Sequence, residues 1–231
     1  MRKIKAVIFD LDGTLYNQTL LRFLIIISFL LNIVLKPRKT FAAMKVLEAF
    51  RKAHEKLRKL KDVNFAIADE QIKMTVDKSG MPEDKVIEII DDWFYTFPLK
   101  FLKLCKKRYI EESINELKAN GYRIGLLSDY YTERKLDTME LNGYFEIQMC
   151  SISKEVNSLK PNPDGFLKIA EALDVKPNEC IYVGDRPHID GVGAEAAGMI
   201  PIMISFGKVA KYRNINSFND LFKLIKEIEG S

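Results

Sequence analysis

Apolar and polar positions divide this chain into three stretches with different periods. The first is Ile4 to Phe9, a short, mostly apolar run rich in β-branched residues, which predicts a buried strand. It stops abruptly at two acids, Asp10 and Asp12, followed by Gly13 and Thr14. The second stretch, 17–98, has helical spacing throughout. Leu20 to Leu35 is a nearly continuous apolar run that encloses Arg22, Ser28 and Asn32. Phe41, Met44, Leu47, Phe50, Leu57 and Leu60 then recur at helical intervals up to Val63. Pro82 marks a further helix start, Val86, Ile89, Ile90 and Trp93 give its apolar stripe, and Pro98 ends it.

From Leu99 the pattern alternates between the two periods. Helices are predicted over Ile110–Ala119, Thr132–Leu141, Pro163–Leu173, Ile189–Ala197 and Ser217–Ile228. Strands are predicted over Tyr122–Leu127, Phe145–Ser151, Cys180–Val183 and Ile200–Ile204. Strands alternating with helices predict an α/β fold, a Rossmann-like parallel sheet covered on both faces. Because the first strand precedes the helical stretch, residues 1–16 and 99–231 are expected to form the core domain. Residues 17–98 are expected to be an inserted all-helical cap domain.

With 231 residues and 47% hydrophobic content, the chain can bury a sizeable core. The net charge of +4 is too small to argue for nucleic acid. Charge is nonetheless segregated: +8 between Lys36 and Lys61, −6 between Asp62 and Pro98. Solvated helix faces account for both, and the alternative for the first is a basic surface for an anionic substrate or lipid headgroups. The three cysteines, Cys105, Cys150 and Cys180, are scattered and form no C-x-x-C pair, which fits a reduced, cytoplasmic protein. With only His54 and His188 available, zinc is not expected.

The apolar run is shorter than the roughly 20 residues of a membrane span. The expectation is a cap helix buried against other helices or a second protomer, in a protein soluble without detergent. Membrane contact through 20–39, and a homodimer through the same run, stay open as alternatives.

Four predicted strand ends carry polar groups: Asp10 and Asp12; Ser128 and Asp129; the loop around Lys160; and Asp185 with Asp190. In a parallel sheet all four fall at the carboxyl edge, where open α/β folds bind ligands. Gly13 lets the chain bend so that Asp10 and Asp12 approach one centre from different angles. One could attack as a nucleophile while the other moves protons. Close carboxylates repel and call for a cation, and hard oxygen donors favour Mg²⁺. Ser128 can donate to a phosphate oxygen and Lys160 can neutralise one, so the chemistry suggested is phosphoryl transfer. Singly, each residue reads as a turn, a cap or a surface lysine; it is their joint placement that argues for a site.

These motifs resemble the haloacid dehalogenase superfamily, in its phosphatase branch with a helical cap inserted after the first strand. D-L-D-G-T-L at Asp10–Leu15, L-L-S-D at Leu126–Asp129, K-P-N-P-D-G-F at Lys160–Phe166 and G-D-R-P-H-I-D at Gly184–Asp190 match its four motifs in order. The resemblance implies Asp10 as the nucleophile that becomes an aspartyl-phosphate and Asp12 as general acid and base. Substrate phosphate would be bound around Gly13, Thr14, Ser128, Asp129 and Lys160, with Lys160 also steadying the nucleophile. Mg²⁺ would be held by Asp10, the Asp12 backbone carbonyl and Asp185, with Asp190 behind them. It further implies a small phosphorylated substrate. Dehalogenases lack the second acid and the metal, so Asp12 points to a phosphatase. A phosphomutase of the same superfamily, or a non-catalytic scaffold or membrane-associated protein on the same fold, are the competing readings. His188 is expected to be a loop residue near the pocket mouth.

Overall fold

The computed structural model describes residues 3–60, 63–205, 207 and 211–230. Lys61 and Asp62, which fall inside the predicted Phe41–Val63 stretch, lie outside the described residues. In chain order the regular elements are β1 (Ala6–Phe9), α1 (Gln18–Leu35), α2 (Pro37–Leu57), α3 (Ile67–Ser79), α4 (Glu83–Ile90), α5 (Leu99–Cys105), α6 (Ile110–Ala119), β2 (Arg123–Ser128), α7 (Glu133–Thr138), β3 (Ile147–Cys150), α8 (Asp164–Ala172), β4 (Cys180–Gly184), α9 (Val192–Ala196), β5 (Ile200–Ile204), β6 (Arg213–Ile215) and α10 (Leu221–Gly230). They divide into two compact units, 1–17 with 106–231, and 18–105. The return to the α/β unit was expected at Leu99; α5 goes with the helical unit instead.

The α/β unit is built on a six-stranded, all-parallel sheet of order β3-β2-β1-β4-β5-β6. The short strand β6 was missed because three residues carry too little periodicity to read. β1 is central, with Phe9 in register with Leu126 on one side and Val183 on the other. All four residues of β1 are fully buried, as a strand covered on both faces requires. Strand alternation sends Ala6 and Ile8 to one face. There they join Phe166 and Ile169 of α8, Leu173 just after it, Tyr182 of β4 and Ala194 of α9. Phe166 packs edge-on against Tyr182, with ring centroids 4.7 Å apart. Phe9, on the opposite face, meets Phe145 and Phe218. Burying a phenylalanine in such a layer contributes roughly 2–3 kcal/mol. The helix α6 ends where Asn120-Gly121 predicts: Gly121 takes φ +82°, and the Tyr122 amide closes back on the Leu117 carbonyl.

The second unit contains helices alone among its described residues. Its centre is the inner face of α2, where Val46, Leu47, Phe50, Ala53 and Leu57 are buried with Val86 and Ile90 of α4. Gln71 of α3 ties that face together, donating to the Phe50 carbonyl at 3.1 Å. After α4 the helix widens into a π turn, Asp91–Thr96, in which the Phe97 amide reaches the Asp92 carbonyl at 2.7 Å. Pro98 follows at once and cannot continue a regular α-turn, so it separates this turn from α5 rather than ending the helical run.

Two expectations fail here. Phe41 and Met44 belong to no buried stripe: both are exposed, and small or β-branched residues, Ala43 and Val46, point inward in their place. Nor do the other described helices of its unit bury α1, the first of the two covers expected for it. Leu21 is its only buried residue, and Val34 is 81% exposed. Its inner side is anchored by Phe29, which packs on Trp93 at 4.7 Å and on Phe97 at 6.2 Å. The remaining apolar side chains exceed what the small unit can cover.

Candidate active site

Parallel register carries the ends of β1, β2 and β4 to one edge of the sheet. Asp10 follows Phe9, Ser128 ends β2, and Asp185 follows Gly184 at the end of β4. β1 lies where the connections diverge to opposite sides of the sheet, the place where such folds form a crevice.

Asp10 is fully buried, and each of its carboxylate oxygens accepts a hydrogen bond. Thr14 Oγ1 donates to Oδ2 at 2.9 Å, and Lys160 Nζ donates to Oδ1 at 2.6 Å. Lys160 arrives from the loop after β3, is itself fully buried, and also reaches Asp190 Oδ1 at 2.8 Å. Its third contact is the Tyr182 hydroxyl, at 3.2 Å, which in turn donates to the Leu127 carbonyl at 3.1 Å. Burial opposes the charge on Lys160, yet Asp10 and Asp190 hold its pKa well above the ordinary lysine value. Burial pushes the Asp10 carboxyl up to about 7, against the pull of Lys160 and with help from Asp190 and Asp185. Burial and then Asp190 raise Asp185 to about 6.

Asp12 faces different partners. Its Oδ1 accepts from Lys135 Nζ and from the Tyr16 hydroxyl, both at 2.5 Å. Burial alone would raise its pKa, but Lys135, with the hydrogen bonds from Lys135 and Tyr16, holds it below the usual carboxylate value. Gly13 lies between the two acids and Thr14 with φ +97°, and a Cβ there would collide with the Asp185 carboxylate. The Gly13 carbonyl accepts from Lys107 Nζ at 2.8 Å.

The carboxylates of Asp10, Asp185 and Asp190 present oxygens within 4.8 Å of one another. Asp185 Oδ1 is buried yet makes no hydrogen bond, and its ion-pair neighbour, Arg186 Nε, is 3.9 Å away. An orphaned buried oxygen beside two further carboxylates suits a hard divalent cation. Asp190 Oδ2 accepts from the Arg186 amide at 3.0 Å, so the Asp190 carboxylate is shared between Lys160 and the loop backbone. The Arg186 guanidinium pairs with Asp129 at 3.3 Å. Ser128 is buried, and its Oγ accepts from the Tyr130 amide at 3.4 Å. His188 is exposed, but it lies in a π-helical turn, Pro187–Gly191, and not in the loop expected for it.

The structure thus joins Asp10, Thr14, Lys160, Asp185 and Asp190 directly. Asp12 stands apart on its own cation, and Asp129 joins through Arg186. Four contributors escaped sequence reasoning: Tyr16, Lys107, Lys135 and Tyr182. Tyr182 reads as a core residue of its strand, and Lys135 as one of many charges on a helix. Tyr16 carried the only local signal, lying one helical turn beyond Asp12.

A sequence model of the haloacid dehalogenase-like hydrolases matches residues 4–198. Glyceraldehyde 3-phosphate phosphatase of Methanopyrus kandleri is 26% identical over 227 residues, covering 94% of this chain and 89% of the relative. Pyrophosphatase PpaX of Bacillus mycoides is 26% identical over 240 residues, covering 99% and 100%. Among solved structures, 2-haloacid dehalogenase from Pseudomonas syringae pv. Tomato superposes with a TM-score of 0.66 at 20% identity, over 97% of this chain and 99% of that one. With the family matched over most of its length and the four motifs gathered at one sheet edge, the chain belongs to the haloacid dehalogenase-like hydrolases.

Proposed function

We propose that this hydrolase is a Mg²⁺-dependent phosphatase that cleaves a small phosphate monoester through an aspartyl-phosphate on Asp10. The observation that carries the reading is the contact set of Asp10: a buried carboxylate locked by Thr14 and Lys160, with Asp185 and Asp190 converging on the same point. A nucleophile held in one orientation avoids most of the entropy cost of attack. The names of the curated relatives, phosphatases of glyceraldehyde 3-phosphate and of pyrophosphate, support a small phosphorylated substrate.

An Asp10 oxygen attacks phosphorus, the bond from phosphorus to the ester oxygen breaks, and the leaving oxygen takes a proton from Asp12. Water then attacks the aspartyl-phosphate, gives its proton to Asp12, and frees inorganic phosphate and the Asp10 carboxylate. Lys160 neutralises the phosphoryl oxygens while keeping Asp10 in place, and Ser128 donates to one of them. Tyr16 and Lys135 stabilise the Asp12 carboxylate left once its proton has passed to the leaving oxygen, so that it stands ready to accept the proton from water.

The cation would be held by Asp10, Asp185 and the Asp12 backbone carbonyl, with Asp190 bracing Lys160 and the Arg186 loop behind. When bound, it supplies positive charge to the phosphoryl oxygens. Charge balance supports this assignment. Asp10, Asp12, Asp129, Asp185 and Asp190 face Lys107, Lys135, Lys160 and Arg186, a residual negative charge that would repel a phosphate unless a divalent ion reversed it. The helical unit would act as a cap that excludes water during the first step. Three free, buried cysteines accord with a cytoplasmic setting.

A panel of phosphate monoesters and pyrophosphate, assayed on purified protein with Mg²⁺ and after EDTA, tests the proposal. Release of phosphate from at least one ester, lost on chelation and restored by Mg²⁺, is expected. Turnover unaffected by chelation would remove the metal from the mechanism.

A further inference from the structure

The outward face of α1 has no role in the proposed chemistry and no cover from the described residues of its own helical unit. Phe23, Ile26, Ile27, Leu30, Leu31, Val34 and Leu35 are all exposed, and their spacing places them on one side of the helix. Phe41 and Met44, in the first turns of the next helix, α2, are also exposed. Lys36, Arg38, Lys39 and Lys45, which follow α1 closely in the chain, are exposed as well. An apolar strip of this extent is rare on a soluble monomer and marks a contact surface.

We propose that this face docks on an anionic phospholipid bilayer, with α1 lying in the interfacial plane. Charge selects this occupant over a second copy of the chain. Between Asp12 and Glu48 there are five Lys or Arg and no acid. Pairing α1 with α1 of another copy, in either direction, therefore brings cations toward cations. Anionic headgroups supply the missing counter-charge, while acyl chains cover the apolar strip. The two uncharged polar side chains within the apolar run of α1 bond back to the helix itself, Ser28 donating to the Leu24 carbonyl at 2.9 Å and Asn32 to the Ser28 carbonyl at 2.8 Å. Arg22, bonded to Gln18 at 2.9 Å, is exposed near the helix start, where it can reach headgroups. Burial in the interface therefore strands none of these groups. Although α1 is long and apolar enough to cross a membrane, it lies in the plane rather than spanning. Its inner side is anchored mid-helix through Phe29 on Trp93 and Phe97, so lipid cannot surround it.

The inference does not depend on the catalytic reading and is tested without an activity assay. Full-length protein is floated with vesicles of phosphatidylcholine alone and of phosphatidylcholine with phosphatidylglycerol. Flotation with the anionic vesicles, weakened by added salt and absent with the neutral ones, is expected. Leu30→Asp should abolish it. Arg38→Glu with Lys39→Glu should weaken partitioning at least about 25-fold, since each cation near such a surface contributes about a factor of five. Circular dichroism melts confirm that the variants fold. The charge pair lies on exposed sites, so it keeps the test informative if Leu30→Asp does not fold. Protein that stays unbound to anionic vesicles overturns the proposal. So does a dimer in sedimentation equilibrium that Leu30→Asp converts to monomer, which would assign the face to a second copy.

Discussion

Lys135 Nζ donates to Asp12 Oδ1 at 2.5 Å, joining the second acid of the first motif to a helix 123 residues further along the chain. Both side chains are largely buried, so the pair is poorly screened by solvent. The contact gives Asp12 a proton affinity distinct from that of Asp10, whose carboxyl is pushed the other way. The two acids therefore titrate separately, and a divalent cation beside Asp10 and Asp185 would offset the raised value of Asp10 and keep it ionised for attack.

Lys135→Met should move the pH profile upward. The lysine stabilises ionised Asp12, so its removal raises the Asp12 pKa. The acidic limb, where Asp12 must be ionised to take a proton from water, then shifts to higher pH. The alkaline limb, where it must be protonated to serve the leaving group, shifts the same way. The loss of a hydrogen bond between charged groups sets the scale at about 1.5–3 kcal/mol. Profiles of kcat and kcat/KM on a chromogenic phosphate ester check it; an unshifted profile with a uniformly lower rate would reduce Lys135 to a structural role.

Asp10→Asn should leave the fold intact and lower turnover by roughly 10³-fold or more, because the amide cannot attack phosphorus. Lys160 keeps Asp190 as a charged partner in the variant, so it is not left with a buried unpaired charge. Acid-quenched protein mixed with a labelled ester should carry covalent phosphate in the wild type and none in the variant. Wild-type rates in the variant would remove the covalent mechanism.

Mg²⁺ should stabilise the protein more at pH 8 than at pH 6. Without metal, the Asp10 and Asp185 carboxyls titrate at about 7 and about 6, well above their unfolded value of 3.8. The folded state therefore binds more protons than the unfolded one between about pH 4 and 7, and metal-free stability falls as pH rises through that window. The cation competes with those protons, so its apparent affinity climbs across the same range and levels off above it. Thermal melts with and without Mg²⁺ at each pH measure this. A metal-induced shift that is constant with pH, or is unchanged in Asp185→Ala, contradicts the ligand assignment.

Gly13→Ala should weaken Mg²⁺ binding and destabilise the fold by roughly 1–3 kcal/mol. The added Cβ must displace the Asp185 carboxylate, and φ +97° is itself strained for alanine. Calorimetric Mg²⁺ titration together with chemical denaturation separates the two losses. Normal metal affinity would show that Asp185 has room to move.

Local patterns carried much of this protein. A strand, two acids and a glycine in immediate succession, then three more strand ends with polar residues, are short-range features, and they suffice to set Asp10, Ser128, Asp129 and Asp185 at one sheet edge. The helix α6 matches its predicted bounds because its periodicity is clean and Asn120-Gly121 stops it, and the strand β5 because it is a short apolar run between Gly198 and Ser205. Partnerships across the sheet were not legible: Lys160 with Tyr182, Asp12 with Lys135 and Arg186 with Asp129 join residues distant in sequence, and only strand order decides which meet. The helical stretch shows the same limit from another side. Composition identifies α1 as apolar, but whether an apolar side chain is covered depends on how many neighbours the fold can bring to it. Around α1 the small helical unit supplies them on one side only, so Phe29 is anchored while Leu30 and Leu31, its immediate successors, face outward.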